Sequence, residues 1–247
     1  MINHKTLDKL KQTLNSFRPL PPEAAAKLHE DLVLRWTHHS NAIEGNTLTL
    51  KETKVVLEGI AIGGKTMREH FEAINHRDAI YYVEALAQEG EGLSEWQIKS
   101  IHQLILKNID DRNAGVYRRA NVTIAGAEHI PPDFTQVASK MEEMIRRNSH
   151  DVQKFHPVER AARVHAEFVK IHPFVDGNGR TARLLMNLEL MKDGFPPAVL
   201  LVENRLEYYE ALEAAHTKGD DGPFLSLISE VVKDGFAPYW HLLGITV

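Results

Sequence analysis

One short stretch concentrates the groups that phosphate chemistry needs: His172-Pro173-Phe174-Val175-Asp176-Gly177-Asn178-Gly179-Arg180-Thr181-Ala182-Arg183. An imidazole with an ordinary pKa near neutrality can take a proton from an attacking hydroxyl, so His172 is the candidate general base. Asp176 offers a hard oxygen ligand, able to hold Mg2+ while phosphate oxygens and waters complete the octahedron. Gly177, Asn178 and Gly179 stand where a helix begins, so consecutive backbone N–H groups and the positive end of the helix dipole can face one anion. Arg180 and Arg183 are spaced to share a helix face, and two forked guanidinium groups point to a polyphosphate. Taken singly, each residue also fits an ordinary glycine turn whose His and Asp cap helices and whose arginines make surface ion pairs. Only the joint order and spacing carries the chemical reading.

These residues need a scaffold, and the composition supplies one. At 247 residues, with 43% hydrophobic and 26% charged content, the chain can bury a large core as one domain or as a core plus an extension. A net charge of −5 gives no overall basic field to attract nucleic acid or anionic lipid. With no cysteine there is neither a disulfide framework nor a thiolate zinc site, which fits a reducing compartment. The N-terminal residues lack the apolar run of a secretory signal, and no stretch is long and apolar enough to span a bilayer. The expectation is a soluble, cytoplasmic protein.

Apolar residues recur at helical intervals over most of the chain, as in Leu28, Leu32 and Trp36, or Ile98, Ile101 and Ile105. Pro21-Pro22 should open a helix running to about Ile43, with Gly45 at its C-terminal end. Thr49-Leu50-Lys51-Glu52 reads as a capping box for a helix that Gly59 and Gly63-Gly64 end. A further helix follows to about Leu86, and Ser94-Glu95-Trp96-Gln97 can cap another. Between Gly115 and Pro132 the pattern is non-helical, with Val122-Thr123-Ile124 strand-like before Gly126. Helical spacing returns at Met141-Met144-Ile145, Val164-Phe168-Ile171 and, after the glycine-rich break, Leu184-Leu185-Leu188. His38, His39, His102, His156 and His165 lie at no recognised metal-ligand interval and read as structural residues.

The chemical stretch matches H-x-F-x-D/E-G-N-G-R-x-x-R at every defining position, and on this pattern the chain resembles the Fic family. Gly115-Val116-Tyr117-Arg118, Val122-Thr123-Ile124 and His129-Ile130-Pro131-Pro132 resemble the Fic segment leading into the substrate-binding flap. Tyr208-Tyr209-Glu210-Ala211-Leu212, Gly219-Asp220 and Pro223-Phe224 are similar to the C-terminal helices, where tyrosines border the adenine pocket. Upstream, Ser40-Asn41-Ala42-Ile43-Glu44-Gly45 resembles the Fic inhibitory motif S/T-x-x-x-E-G/N. The likeness departs from the family at His216, where relatives often carry Asn, and in a loop before Gly219 that is one residue longer.

The resemblance implies an all-α fold: a Fic helical core with a small β-hairpin flap. It divides the chain into an inhibitory helical region, 1–92, and a Fic core with C-terminal helices, 93–247, packed as one globular unit. It implies a protein adenylyltransferase that moves AMP from ATP-Mg to a Ser, Thr or Tyr hydroxyl of a target protein. In that scheme His172 activates the hydroxyl and Asp176 binds magnesium. Gly177, Asn178 and Gly179 hold the phosphates, Arg180 and Arg183 grip the β- and γ-phosphates, and Tyr208 and Tyr209 line the adenine side. Ser40 and Glu44 restrain the enzyme through a Glu44–Arg183 pair. The flap residues Val122, Thr123, Ile124, Ala125, Gly126 and Ala127 dock an extended segment of the unidentified target. Retention of Gly179, where divergent relatives carry lysine, favours AMP transfer over phosphotransfer. Two alternatives share the motif: removal of AMP from a modified protein, and a nearly inactive nucleotide-responsive binding module. Self-association is common in the family, and the resemblance leaves the oligomeric state of this chain open, a homo-oligomer included.

Overall fold

The computed structural model describes residues 4–245. The α-helices are α1 His4–Ser16, α2 Pro22–Ile43, α3 Leu50–Leu57, α4 Met67–Glu89, α5 Glu95–Leu106, α6 Val137–Asp151, α7 Pro157–Ile171, α8 Asn178–Lys192, α9 Arg205–Glu213, α10 Gly222–Asp234 and α11 Ala237–Leu243. A π-helical turn, Ala214–Lys218, extends α9. Such a turn closes over one more residue than an α-turn.

Local chemistry sets several of these boundaries. Thr49 and Ser94 each close the expected capping box, accepting from the backbone N–H of Glu52 and Gln97. A third box, Thr66 with Glu69, opens α4. The C-cap of α2 is Glu44, and Gly45 follows it at φ +99°, a left-handed position that favours glycine.

Helix α8 is buried on nearly every side, from Asn178 to Leu190. A helix without an exposed face belongs at the centre of a domain. Its Met186 and Leu190 join a core built from α1, α7, α9, α10 and α11, while Leu184, Leu185 and Leu188 join a second core with α2, α4, α5 and α6. Burial of each such side chain contributes roughly 1.5–3 kcal/mol relative to exposure. The start of α8 is therefore anchored by the rest of it.

The expected β-hairpin over Val122 to Ala127 is not formed, and no strand occurs among the described residues. The segment carries no regular secondary structure and turns at Ala125-Gly126, where Gly126 has φ +80° and the Ala127 N–H donates to the Ile124 carbonyl at 3.2 Å. Side chains join the two legs in place of a ladder. Asn121 donates from Nδ2 to Asp133 Oδ2 at 2.9 Å and accepts the Phe134 N–H at 2.8 Å. Glu213 takes the Glu128 and His129 N–H groups, and Pro131 and Pro132 have none, so the returning leg offers no donors there and the strand-like spacing does not become a sheet.

Candidate active site

His172 ends α7 in the left-handed conformation, φ 50° and ψ 60°, with its N–H donating to Phe168 O at 3.0 Å. Left-handed backbone is uncommon for a residue with a Cβ, and it turns the chain sharply into Pro173. Arg118 fastens this corner. Its Nε donates to the His172 carbonyl at 2.9 Å and its Nη1 to the Ala120 carbonyl at 3.0 Å, while Nη2 donates to the Pro132 carbonyl. One buried guanidinium thus links the proposed base to both legs of the flap.

The loop from Phe174 to Gly177 closes on itself. Asn178 accepts the Phe174 N–H at 3.0 Å and donates to the Phe174 carbonyl at 2.8 Å. Phe174 stacks on His102 with ring centroids 3.5 Å apart. His102 Nδ1 accepts the Gly115 N–H at 2.9 Å, so Nε2 carries the proton and donates to the Asp176 carbonyl at 2.9 Å. Burial pushes the His102 pKa down to about 4, which keeps this neutral tautomer in place. Gly177 has φ +74°, and a Cβ there would lie 3.1 Å from Ile105 Cγ2. The loop can approach α5 this closely only with glycine.

No side chain caps the N-terminus of α8. Its first-turn N–H groups face the end of the helix dipole, a ready anion site. The Glu44 carboxylate from the end of α2 lies over this turn, because a Cβ on Gly179 would meet Glu44 Oε1 at 2.2 Å. Glu44 Oε1 also accepts Arg183 Nη2 at 2.8 Å. Ser40 holds the same arginine, accepting from Nε through Oγ at 3.0 Å and from Nη2 through its carbonyl at 2.7 Å. Burial works against the Arg183 charge, yet Glu44 and Tyr208 raise its pKa above the ordinary value.

Arg180 and Arg183 diverge rather than converge. Arg180 is 2% exposed and pairs with Glu72 at 3.3 Å and Asp176 at 3.4 Å. Glu72 also accepts from Arg68 Nε at 3.1 Å and from Asn46 Nδ2 at 2.9 Å, tying α4 and the loop after α2 to α8. Asp176 Oδ1 accepts the Gly177 N–H at 2.6 Å, and Oδ2 accepts Arg68 Nη2. Burial alone would raise the Asp176 pKa, but Arg180, the Gly177 N–H and Arg68 together hold it below the usual carboxylate range.

His172 is lowered to about 4, chiefly by burial, with Arg118 and His129 adding to the depression and the Val169 backbone and Glu44 opposing it. Its Nδ1 is buried and closes no hydrogen bond of good geometry. At neutral pH the ring is therefore an uncharged acceptor.

The tyrosines separate. Tyr208 is 2% exposed, and its hydroxyl lies 3.5 Å from Arg183 Nη1 and 3.2 Å from His165 Nε2. Tyr209 is 40% exposed, and its hydroxyl donates to the Ile43 carbonyl at 3.1 Å, bracing the residue before Glu44. His216 lies in the π-turn, its Nε2 2.9 Å from the Ala166 carbonyl and its ring 5.0 Å from that of His129. Burial brings the His216 pKa to about 4. Glu213 Oε1 accepts the backbone N–H groups of Glu128 and His129, at 3.0 and 2.9 Å. The far leg of the flap is thereby fixed to α9.

Sequence reasoning placed Arg118 in the family-like Gly115-Val116-Tyr117-Arg118 segment without giving it a role, and it missed Arg68, Glu72 and the positioning role of His102. One signal for the missed pair was available: Glu72 lies one turn after Arg68 in α4.

The model of the Fic/DOC family matches residues 92–190. The protein adenylyltransferase fic-1 of Caenorhabditis briggsae is 36% identical over 93% of this chain and 46% of its own length. The protein adenylyltransferase Fic of Nematostella vectensis is 35% identical over 92% of this chain and 54% of its own. The chain thus spans about half the length of these curated relatives. Among solved structures, a fragment of Fic-1 from Caenorhabditis elegans superposes with a TM-score of 0.88 at 32% identity, covering 98% of this chain and 72% of that one. A Fic domain containing signaling protein from Bacteroides thetaiotaomicron gives 0.88 at 27% identity, with 97% of each chain covered. The chain belongs to the Fic/DOC family.

Proposed function

We propose that this chain transfers AMP from ATP to a hydroxyl side chain of a target protein, and that Glu44 restrains the reaction. The observation that carries this reading is the Glu44 carboxylate seated on the uncapped start of α8 and bonded to Arg183. A protein carboxylate there stands where an anionic phosphate oxygen would bind. The naming of the relatives as adenylyltransferases supports the same reading.

In the derived mechanism, ATP lies with its phosphates along the first turn of α8. The target hydroxyl attacks the α-phosphorus in line, forming a new O–P bond as the bond to the bridging oxygen breaks and pyrophosphate departs. His172 takes the hydroxyl proton, a role its neutral state allows. Preorganised backbone N–H groups and arginine charge stabilise the transferring group. Arg183 can meet the terminal phosphate only when Glu44 has moved, whereas Arg180 acts from beneath through Asp176 and Glu72.

Asp176 fits a magnesium ion held mainly by its nucleotide: it is a lone carboxylate, 43% exposed, at the mouth of the anion site. Among the described residues no group of three or more His, Cys, Asp and Glu side chains forms a metal cage. When bound, magnesium would neutralise phosphate charge.

Tyr209, the exposed member of the pair, is the adenine-side residue we favour, with Tyr208 setting Arg183 from below. The segment from Val122 to Ala127 follows Ala120, whose carbonyl Arg118 holds together with that of His172, and we read it as the part that presents a target hydroxyl. Residues 1–92 supply the restraint, and residues 93–247 supply the chemistry.

A second reading has one observation in its favour. Glu44 is a third exposed and acts electrostatically on His172, so it could orient a water for removal of AMP from a modified protein. Magnesium-dependent pyrophosphate release in the presence of an acceptor protein supports transfer. AMP released from a premodified protein, without pyrophosphate formation, would instead establish removal.

A further inference from the structure

Asp176 has two carboxylate oxygens, and the protein has taken both. Oδ1 is committed to the Gly177 N–H at 2.6 Å and to Arg180 at 3.4 Å. Both bonds shape the loop, and Arg180 is too deeply packed to leave. Oδ2, the oxygen free of that duty, is held by Arg68 Nη2. Arg68 belongs to the first turn of α4, and its Nε is steadied by Glu72 at 3.1 Å.

The two guanidinium groups beside Asp176 differ in burial. The Arg180 side chain is 2% exposed, while that of Arg68 is 54% exposed. Arg68 can therefore swing into solvent without unpacking the core. A magnesium ion needs an oxygen at about 2.0–2.1 Å in near-octahedral geometry, which a guanidinium already bonded to that oxygen obstructs by bulk and by like charge.

We propose that Arg68 is a positioning residue that blocks the metal-binding oxygen of Asp176 in the nucleotide-free protein and must move aside when magnesium is loaded with ATP. This would be a second restraint, separate from Glu44. Glu44 bears on Arg183 and the end of the polyphosphate, whereas Arg68 bears on the metal. The inference rests on the reading of Asp176 as the residue that holds the ion. A half-exposed pair opens at small cost, so the effect on metal-dependent affinity should reach about fivefold at most.

Calorimetric titration of ATP into the full chain, in magnesium and in EDTA, tests this for wild type, Arg68→Gln, Arg68→Lys and Asp176→Asn. The readout is the ratio of the two affinities, with thermal melting recorded for each variant. The expected result is a higher ratio for Arg68→Gln, an intermediate one for Arg68→Lys and a lower one for Asp176→Asn. A ratio for Arg68→Gln at or below wild type, with Asp176→Asn still lowered, overturns the restraint and leaves Asp176 as the metal residue. An Asp176→Asn ratio equal to wild type overturns both.

Discussion

The Glu44 carboxylate lies over Gly179 so closely that a Cβ on the glycine would come within 2.2 Å of Glu44 Oε1. Two segments 139 residues apart at the Glu44–Arg183 pair thus share one small volume above the start of α8. Whatever binds there must displace a carboxylate, and this shapes the first prediction.

Ser40→Ala removes the Oγ that accepts Arg183 Nε but leaves the Ser40 carbonyl and Glu44 in place. A single lost hydrogen bond to a buried charged group should cost about 1–2 kcal/mol, read by urea unfolding. AMP incorporation should rise above wild type yet stay below that of Glu44→Gly.

Arg118→Lys keeps a charge but cannot reach three carbonyls with one fork. Stability should fall by roughly 2–3 kcal/mol. Labelling of a target should drop about tenfold or more, some 1.4 kcal/mol of barrier, with nucleotide affinity little changed. An equal loss of nucleotide affinity would show that Arg118 supports the phosphate loop rather than the flap corner.

His102→Phe preserves the stack on Phe174 but leaves the Gly115 N–H and the Asp176 carbonyl without their partner. Two buried groups lose their hydrogen bonds, so the expected cost is about 2–4 kcal/mol in chemical denaturation. His102→Ala, which also loses the stack, should be worse.

The pH dependence follows from buried histidines: His102, His172 and His216 are pushed by burial down to about 4, and burial lowers His76 and His165 well below their ordinary value. Their folded pKa values lie below the unfolded value of 6.5, so folding favours the neutral rings. Stability is fully present above pH 6.5 and is lost as pH falls toward 4, when the unfolded chain binds protons first. Urea midpoints should fall steeply over that window. The labelling rate should show no acid limb near pH 6.5, since His172 remains an available base there.

The helical architecture and the chemical loop were readable from the residues because both rest on short-range signals. Thr49 and Ser94 lie within a few positions of the groups they cap, and His172 to Arg183 is one continuous stretch. The failure at Val122-Thr123-Ile124 was also local in origin: β-branched spacing resembled a strand, but the returning leg through Pro131 and Pro132 could not supply a ladder. Arg180 and Arg183 looked like a matched pair, yet Glu72 draws one of them down and Ser40 and Glu44 hold the other. The Glu44–Arg183 pair was legible through the family resemblance alone, whereas Glu72, the partner of Arg180, leaves no periodic trace in a single sequence. Tyr208 and Tyr209 differ for a similar reason, since adjacent positions on a helix point in different directions.

The central claim, restrained AMP transfer, is tested most directly by incorporation of label from α-labelled ATP with magnesium. The comparison is wild type, Glu44→Gly and Glu44→Gly/His172→Ala, using self-modification and a lysate as acceptors. Glu44→Gly vacates the space over Gly179 and frees Arg183, so the account predicts strong labelling that disappears in the double variant. No labelling by a folded, ATP-binding Glu44→Gly protein, or labelling that survives the loss of His172, would contradict it.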